Sequence, residues 1–213
     1  MDGSQKGSRG RRGYHHGNLK TALVEATLAL IEEKGPTGFT FADAARKAGV
    51  SPAAPYRHFK DREQLIAETA RRGYELFADM LEEAWDAGRP TPLSAFETVG
   101  RAYLTFARTE PAYFTAMFEA GISADSDPAL KAESERSFKV LYNACVAIID
   151  RLPPEKRPPP HMMAYHIWAL SHGVATLYAR SDESGQKTPI SPEDLLEAGS
   201  ALYLRGIGFL DEG

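Results

Sequence analysis

An all-α fold, with a three-helix helix-turn-helix head at the N-terminus and a larger helical body behind it, is predicted by three observations. Apolar residues recur at three- and four-residue spacing through most of the 213-residue chain. Two short segments on either side of Gly49 carry the caps and the turn of a helix-turn-helix. Connections rich in Pro, Gly, Ser and Asp separate the periodic segments, and no strand alternation or internal repeat interrupts them.

Each element follows from its residues. The opening run MDGSQKGSRGRRG is basic, glycine-rich and almost free of apolar side chains, so residues 1–16 are expected to form a flexible basic arm. From Asn18 the positions Leu19, Leu23, Ala26, Thr27, Leu30 and Ile31 share one helical face, and Lys34-Gly35-Pro36 ends that helix. Thr40 caps a short second helix running to about Ala48, with Asp43 three residues on near its positive end. Gly49 permits the turn, Val50 plugs it, and Ser51-Pro52 opens a third helix expected to cover Pro52 to Phe59. Asp61, with Gln64 three residues later, caps a long fourth helix whose apolar positions continue through Leu65, Ile66, Leu76, Phe77 and Leu81. It links the head, residues 17–62, to the body, residues 63–213. Further helices are expected near Leu93 to Arg108, Ala112 to Ala120, Pro128 to Leu152, Pro160 to Arg180 and Pro192 to Leu210.

With 43% apolar and 25% charged residues the chain is long enough to bury a real core. No segment has the run of apolar residues needed for a membrane helix, and the N-terminus lacks the apolar stretch of a signal peptide, so a cytoplasmic protein without a membrane partner is expected. The lone Cys145 forms no internal disulfide, and its apolar neighbours Val140, Leu141, Val146, Ile148 and Ile149 mark it as a buried, inert thiol. Net charge is −4, yet it is unevenly placed. Met1 to Arg72 carries 13 Lys or Arg against 8 Asp or Glu, a net of +5, whereas Gly73 to Gly213 carries 12 against 21, a net of −9. A basic front on an acidic chain points to an anionic polymer meeting one end only.

The second helix of a helix-turn-helix presents its side chains to the DNA major groove. Here small residues stand at its entering end, and Tyr56, His58 and Lys60 follow, able to reach phosphates or base edges. The run FTFADAARKAGVSPAAPYRHFKDREQL, Phe39 to Leu65, is similar to the DNA-binding region of the TetR family. That resemblance implies a homodimer on near-palindromic double-stranded operator DNA, a ligand-binding helical body, and most often repression until a small molecule releases the DNA. It also places Thr40, Tyr56, His58, Lys60 and Arg62 against phosphate or sugar and Pro52, Ala53 and Ala54 toward bases, with Arg46, Ser51 and Arg57 completing the DNA-binding set. Arg11, Arg12 and Tyr14 of the arm are expected to enter a minor groove.

The body is rich in aromatic residues on its apolar faces. Phe96, Tyr103, Phe106, Phe114, Met117, Phe118, Phe138, Tyr142, Trp168 and His172 are the expected lining of a pocket for a largely apolar or aromatic effector. Trp168, His172 and Gly173 form a W-x-x-x-H-G pattern resembling the C-terminal domain of one TetR subgroup, either as a structural pair with Gly173 at a close helix crossing or as a ligand-contacting pair. The last two helices resemble the family's dimerisation pair, with Ala164, Ala169, Ala175, Ala198 and Ala201 allowing close packing. No metal or cofactor is expected: adjacent His15 and His16 diverge, and His161, His166 and His172 do not share a helical face. The rival readings are an all-helical enzyme or carrier using the aromatic cavity, and an architectural DNA-binding protein without a ligand. The first lacks any nucleophile beside a base and any phosphate loop.

Overall fold

A computed structural model describes residues 19–184 and 188–210. Among them are eight α-helices and no strands: α1 (Leu19–Lys34), α2 (Phe41–Lys47), α3 (Arg62–Trp85), α4 (Pro92–Thr109), α5 (Pro111–Phe118), α6 (Pro128–Ile149), α7 (Pro160–Ser184) and α8 (Pro192–Gly206). The basic arm, with Arg11, Arg12 and Tyr14, lies outside the described residues.

The helix starts are set by side-chain caps. Asp61, Thr91, Asp127 and Ser191 each accept hydrogen bonds from amides in the first turn of α3, α4, α6 and α8. Proline at the first turn of α4, α5, α6 and α8 removes a donor that had no partner to lose. At the end of α2, Gly49 takes φ of 72°. Its N–H donates to the Arg46 carbonyl at 3.1 Å and the Val50 N–H to the Ala45 carbonyl at 3.0 Å, a Schellman closure that a β-carbon would strain.

One element differs from expectation. Pro52 to Phe59 is not an α-helix: a single 3₁₀ turn, Ala54–Arg57, replaces it. Pro55 has no N–H to donate to the Ser51 carbonyl, so the first i→i−4 bond of a helix opening at Pro52 cannot form. The turn is closed by Ala54 N–H to the Ser51 carbonyl at 3.0 Å, and the Pro55 carbonyl accepts from both the His58 N–H at 2.9 Å and the Phe59 N–H at 3.0 Å. Pro55 itself is buried, which anchors the turn on the head. Leu76 also departs from the expected apolar row, standing 36% exposed on the outer side of α3.

The head core gathers Leu23, Ile31, Phe39, Phe59, Leu65 and Ile66, and includes Ala112 and Ala116 of α5. The other face of α5 carries Phe114 and Met117 into the body core beside Phe77, Tyr103 and Phe106. This helix therefore belongs to both cores. At the far end α6 and α7 bury Cys145, Ile148, Met163 and Ile167. Burial pushes the Cys145 thiol up to about 12, so it stays protonated and unreactive at neutral pH. Among the described residues no helix is long and apolar enough to cross a membrane.

Candidate DNA-reading face and ligand cavity

The head's outer surface is built by two caps and a turn. The Thr40 N–H and hydroxyl donate to Asp43 Oδ2 at 2.8 and 2.7 Å, and Thr40 Oγ1 accepts from the Asp43 N–H at 3.1 Å. Those two donations, the hydroxyl's first, hold the Asp43 carboxyl below the usual carboxylate range. Asp43 also pairs with Arg46, leaving that guanidinium at the surface. Tyr56 packs edge-on against Phe41, with centroids 5.0 Å apart and rings at 85°, and is 64% exposed. The ring is thus propped outward by a fixed aromatic base. Ser51, Pro52, Ala53, Arg57, His58 and Lys60 are exposed beside it. The Lys60 N–H donates to Gln64 Oε1 at 2.6 Å and the Gln64 N–H to Asp61 Oδ1 at 2.9 Å, which fixes the backbone of Lys60 at the start of α3.

Two residues expected on this face point elsewhere. Ala54 is half-buried and packs against the head core. Arg62 turns inward: Nη2 donates to the Pro36 carbonyl, and the guanidinium carbon lies 4.4 Å from the centroid of the Phe39 ring. It ties the loop before α2 to α3, so its charge is used inside the head rather than at the surface.

A cavity of about 720 Å³ occupies the body, walled by α3, α4, α6, α7 and α8 with Phe118 of α5. Of the aromatics expected there, Phe96, Tyr103, Phe118, Phe138, Tyr142 and Trp168 border it. Phe106, Phe114, Met117 and His172 do not. Phe106 is fully buried against Phe77, with centroids 4.8 Å apart. Phe114 stacks on the His172 ring at 5.4 Å and 21°. Met117 lies against Gly73 of α3. His172 stands behind Tyr103, its Nδ1 2.9 Å from the Tyr103 oxygen. Burial lowers the His172 pKa, against an opposing pull from Glu119, and the ring is neutral at neutral pH. Burial likewise raises the Tyr103 hydroxyl, opposed by the Trp168 indole N–H.

Small polar residues at the cavity, Ser134, Ser137, Ser171 and Ser200, were not singled out from the sequence, where a serine on a helix reads equally as solvent-facing. Gly173 gives no close crossing within the protomer, because a β-carbon there would meet nothing within 4 Å. The close approach of α7 and α8 is at Gly199 instead, where a β-carbon would lie 2.9 Å from Leu170 Cδ2. Ala164 and Ala175 are buried inside the protomer, whereas Ala169 and Ala198 are exposed. Among the described residues no cluster of three or more His, Cys, Asp or Glu side chains is placed to hold a metal.

Comparison with known proteins agrees with this architecture. Residues 23–69 match the family of bacterial regulatory proteins, tetR family, and residues 96–202 match the tetracyclin repressor-like C-terminal domain. The HTH-type transcriptional regulator YobS of Bacillus subtilis (strain 168) is 24% identical over 186 residues, 85% of this chain and 87% of that protein. A solved structure of a Rhodococcus sp. RHA1 protein of unknown function superposes with a TM-score of 0.75 at 26% identity, covering 92% of this chain and 98% of the other. The transcriptional regulator FadR from Bacillus subtilis, solved in complex with stearoyl-CoA, shares the fold with a TM-score of 0.66 at 14% identity over 90% of this chain and 99% of that one. A helix-turn-helix head, a helical body with an internal cavity, and family matches over both halves together establish that the chain belongs to the TetR family of transcriptional regulators.

Proposed function

We propose that the protein is a repressor that binds a near-palindromic operator as a homodimer and releases it when a small, largely apolar or aromatic effector fills the body cavity. The observation that carries this reading is the double membership of α5. Phe118 borders the cavity, while Ala112 and Ala116 on the same helix are part of the core beneath the DNA-reading turn. A ligand that shifts α5 by a fraction of a turn moves the head with it.

Dimerisation is supported by the outer faces of α7 and α8, where Met162, Ala169, Gly173 and Leu202 are exposed. Two heads held by such a pair must stand about 34–36 Å apart to enter successive major grooves. A coupling of roughly 1–3 kcal/mol between cavity and head would weaken operator binding about 5- to 150-fold. In this reading residues 17–62 are the DNA-binding head and 63–213 the effector and dimerisation body, the arm at 1–16 adds minor-groove contacts through Arg11, Arg12 and Tyr14, and the protein works in the cytoplasm without catalysis. Thr40, Arg46, Ser51, Pro52, Ala53, Tyr56, Arg57, His58 and Lys60 are the DNA contacts.

The test is retention of genomic DNA fragments by the purified protein at moderate salt, followed by sequencing. Recovery of a shared palindrome supports a specific dimeric regulator. Retention without a shared motif leaves charge-driven binding alone and favours an architectural protein.

A further inference from the structure

The DNA-reading turn is chemically one-sided. From Gly49 to Lys60 the chain has no Asn, Gln, Asp or Glu. Side-chain amides grip adenine at two points and carboxylates accept from the cytosine amino group, so neither base meets its usual partner here. The Asp43 carboxylate on α2 is already held by Thr40 and Arg46.

The start of the turn is apolar instead. Pro52 and Ala53 are both exposed, and a shallow recess of about 400 Å³ opens beside them, bordered by Gly49, Val50, Ser51, Ala53, Ala54 and Arg57. Val50, Ala53 and Ala54 give it apolar walls. Of the four bases only thymine shows a methyl group in the major groove, and apolar side chains are what contact it. At the edge of the recess stands Arg57, which is exposed and which no ion pair among the described residues engages. The other arginines of the head's surface are committed, Arg46 to Asp43 and Arg62 to the Phe39 ring. A free guanidinium donates two parallel hydrogen bonds, the geometry that guanine O6 and N7 accept. Ser51, Tyr56, His58 and Lys60 offer single bonds or a point charge, which a phosphate satisfies as well as a base edge does.

We infer that the head reads its operator half-site through the methyl group of at least one thymine, seated against Pro52 and Ala53, and through one guanine held by Arg57. Adenine and cytosine receive no two-point contact of their own. This rests on the head binding an operator, as proposed above, and names the bases it recognises there.

Fluorescence anisotropy of the full-length protein on the operator recovered from genomic fragments tests the assignment, with deoxyuridine replacing each half-site thymine in turn. Uracil keeps every hydrogen-bonding atom of thymine and lacks only the methyl group. At one or more positions it weakens binding about fourfold, the share of one buried methyl group, and leaves the salt slope unchanged because no phosphate contact is lost. Arg57→Ala erases the preference for guanine at one position, a preference of roughly 5- to 150-fold in the unmodified protein. A thermal melt monitored by circular dichroism shows that the variant folds, and the deoxyuridine series needs no variant. Unchanged affinity at every deoxyuridine position overturns the thymine assignment. An Arg57→Ala protein that binds all sequences more weakly by the same factor, with a lower salt slope, places Arg57 on a phosphate and overturns the guanine assignment. Either result leaves the operator in place. Failure to recover any shared palindrome overturns the inference together with the proposed repressor.

Discussion

The oxygen of Tyr103 on α4 and Nδ1 of His172 on α7 stand 2.9 Å apart, and the His172 ring stacks on Phe114 and meets the edge of Phe118, both on α5. Three helices are joined at that point, and one of them reaches the head. The pair has a measurable signature in stability. His172→Leu leaves the buried Tyr103 hydroxyl without its hydrogen-bond partner and costs roughly 1–3 kcal/mol. Tyr103→Phe strands the imidazole nitrogen and costs a similar amount. The double variant is expected to lose little more than either single one, because neither orphan remains. Urea unfolding of all four proteins gives the cycle, and strictly additive losses would show that the hydrogen bond carries no coupling. The same ring predicts an acid response. Its lowered pKa means that stability from the neutral form is complete above the ordinary value of 6.5 and is lost as pH falls through the lower, folded value.

Arg62 and Lys60 are two residues apart and are predicted to behave oppositely. Lys60 is exposed on the head, whereas Arg62 lies over Phe39 and donates to the Pro36 carbonyl. Lys60→Ala should weaken binding to all DNA sequences alike and lower the salt slope by about 1, as loss of one phosphate contact requires. Arg62→Ala should instead destabilise the head by roughly 1–2 kcal/mol through the lost carbonyl bond and ring contact, with the salt slope unchanged. Operator binding measured from low to high salt, beside thermal melts, separates the two. A reduced slope for Arg62→Ala would return that residue to the DNA-facing set.

How far such distinctions can be read from sequence depends on whether the cause is local. Thr40 with Asp43 and Asp61 with Gln64 mark helix starts because a cap and its target lie three residues apart. The third helix is shorter than its sequence suggests because Pro55 lacks the donor for the first i→i−4 bond, and the Ser51 carbonyl takes the Ala54 N–H of a 3₁₀ turn instead. Arg62 reads as a surface cation until Phe39 and Pro36 are folded against it. The cavity is the least legible feature: its wall is drawn from six helices, and a buried aromatic such as Phe106 has the same periodicity as Phe96, which borders the space. Helical spacing reports which residues face inward, and not whether the interior there is filled.

Glu68 on α3 is predicted to govern acid stability of the junction between head and body. Its carboxylate receives Lys20 Nζ of α1 at 3.0 Å, Arg71 Nε at 2.9 Å and Arg72 Nε at 3.0 Å, with a side chain 11% exposed. Burial works against the charge, but hydrogen bonds from Arg71, Lys20 and Arg72 outweigh it and hold the group at about 2. Because the folded value is depressed below the ordinary 4.5, its contribution is present above pH 4.5 and is lost as pH falls toward 2. Glu68→Gln leaves three cations together and should cost roughly 1–3 kcal/mol at neutral pH. The gap between the two proteins should close in acid. Denaturant midpoints at neutral pH and near pH 3 measure it, and a gap that stays constant would show that the charge of Glu68 contributes nothing there.

Gly73 is predicted to set the distance between α3 and α5. A β-carbon on it would fall 2.7 Å from Met117 Sδ and 3.1 Å from Tyr113 Cδ1, closer than van der Waals contact allows. Met117 has rotatable bonds and yields to a single methyl, so Gly73→Ala combines that small displacement with the higher helix propensity of alanine and should change stability little. Gly73→Val cannot be absorbed in the same way. The branched side chain must push α5 outward or force off-rotamer packing, at a cost of roughly 1–3 kcal/mol. Because Ala112 and Ala116 on α5 also belong to the head core, the displacement should reach the DNA-reading turn. Gly73→Val is therefore expected to bind operator more weakly than Gly73→Ala under conditions where both remain folded. Gel-shift titration with the recovered operator, set beside thermal melts, reads both effects. Wild-type affinity in a folded Gly73→Val protein would mean that α5 can move without moving the head, and the coupling through that helix would have to be abandoned.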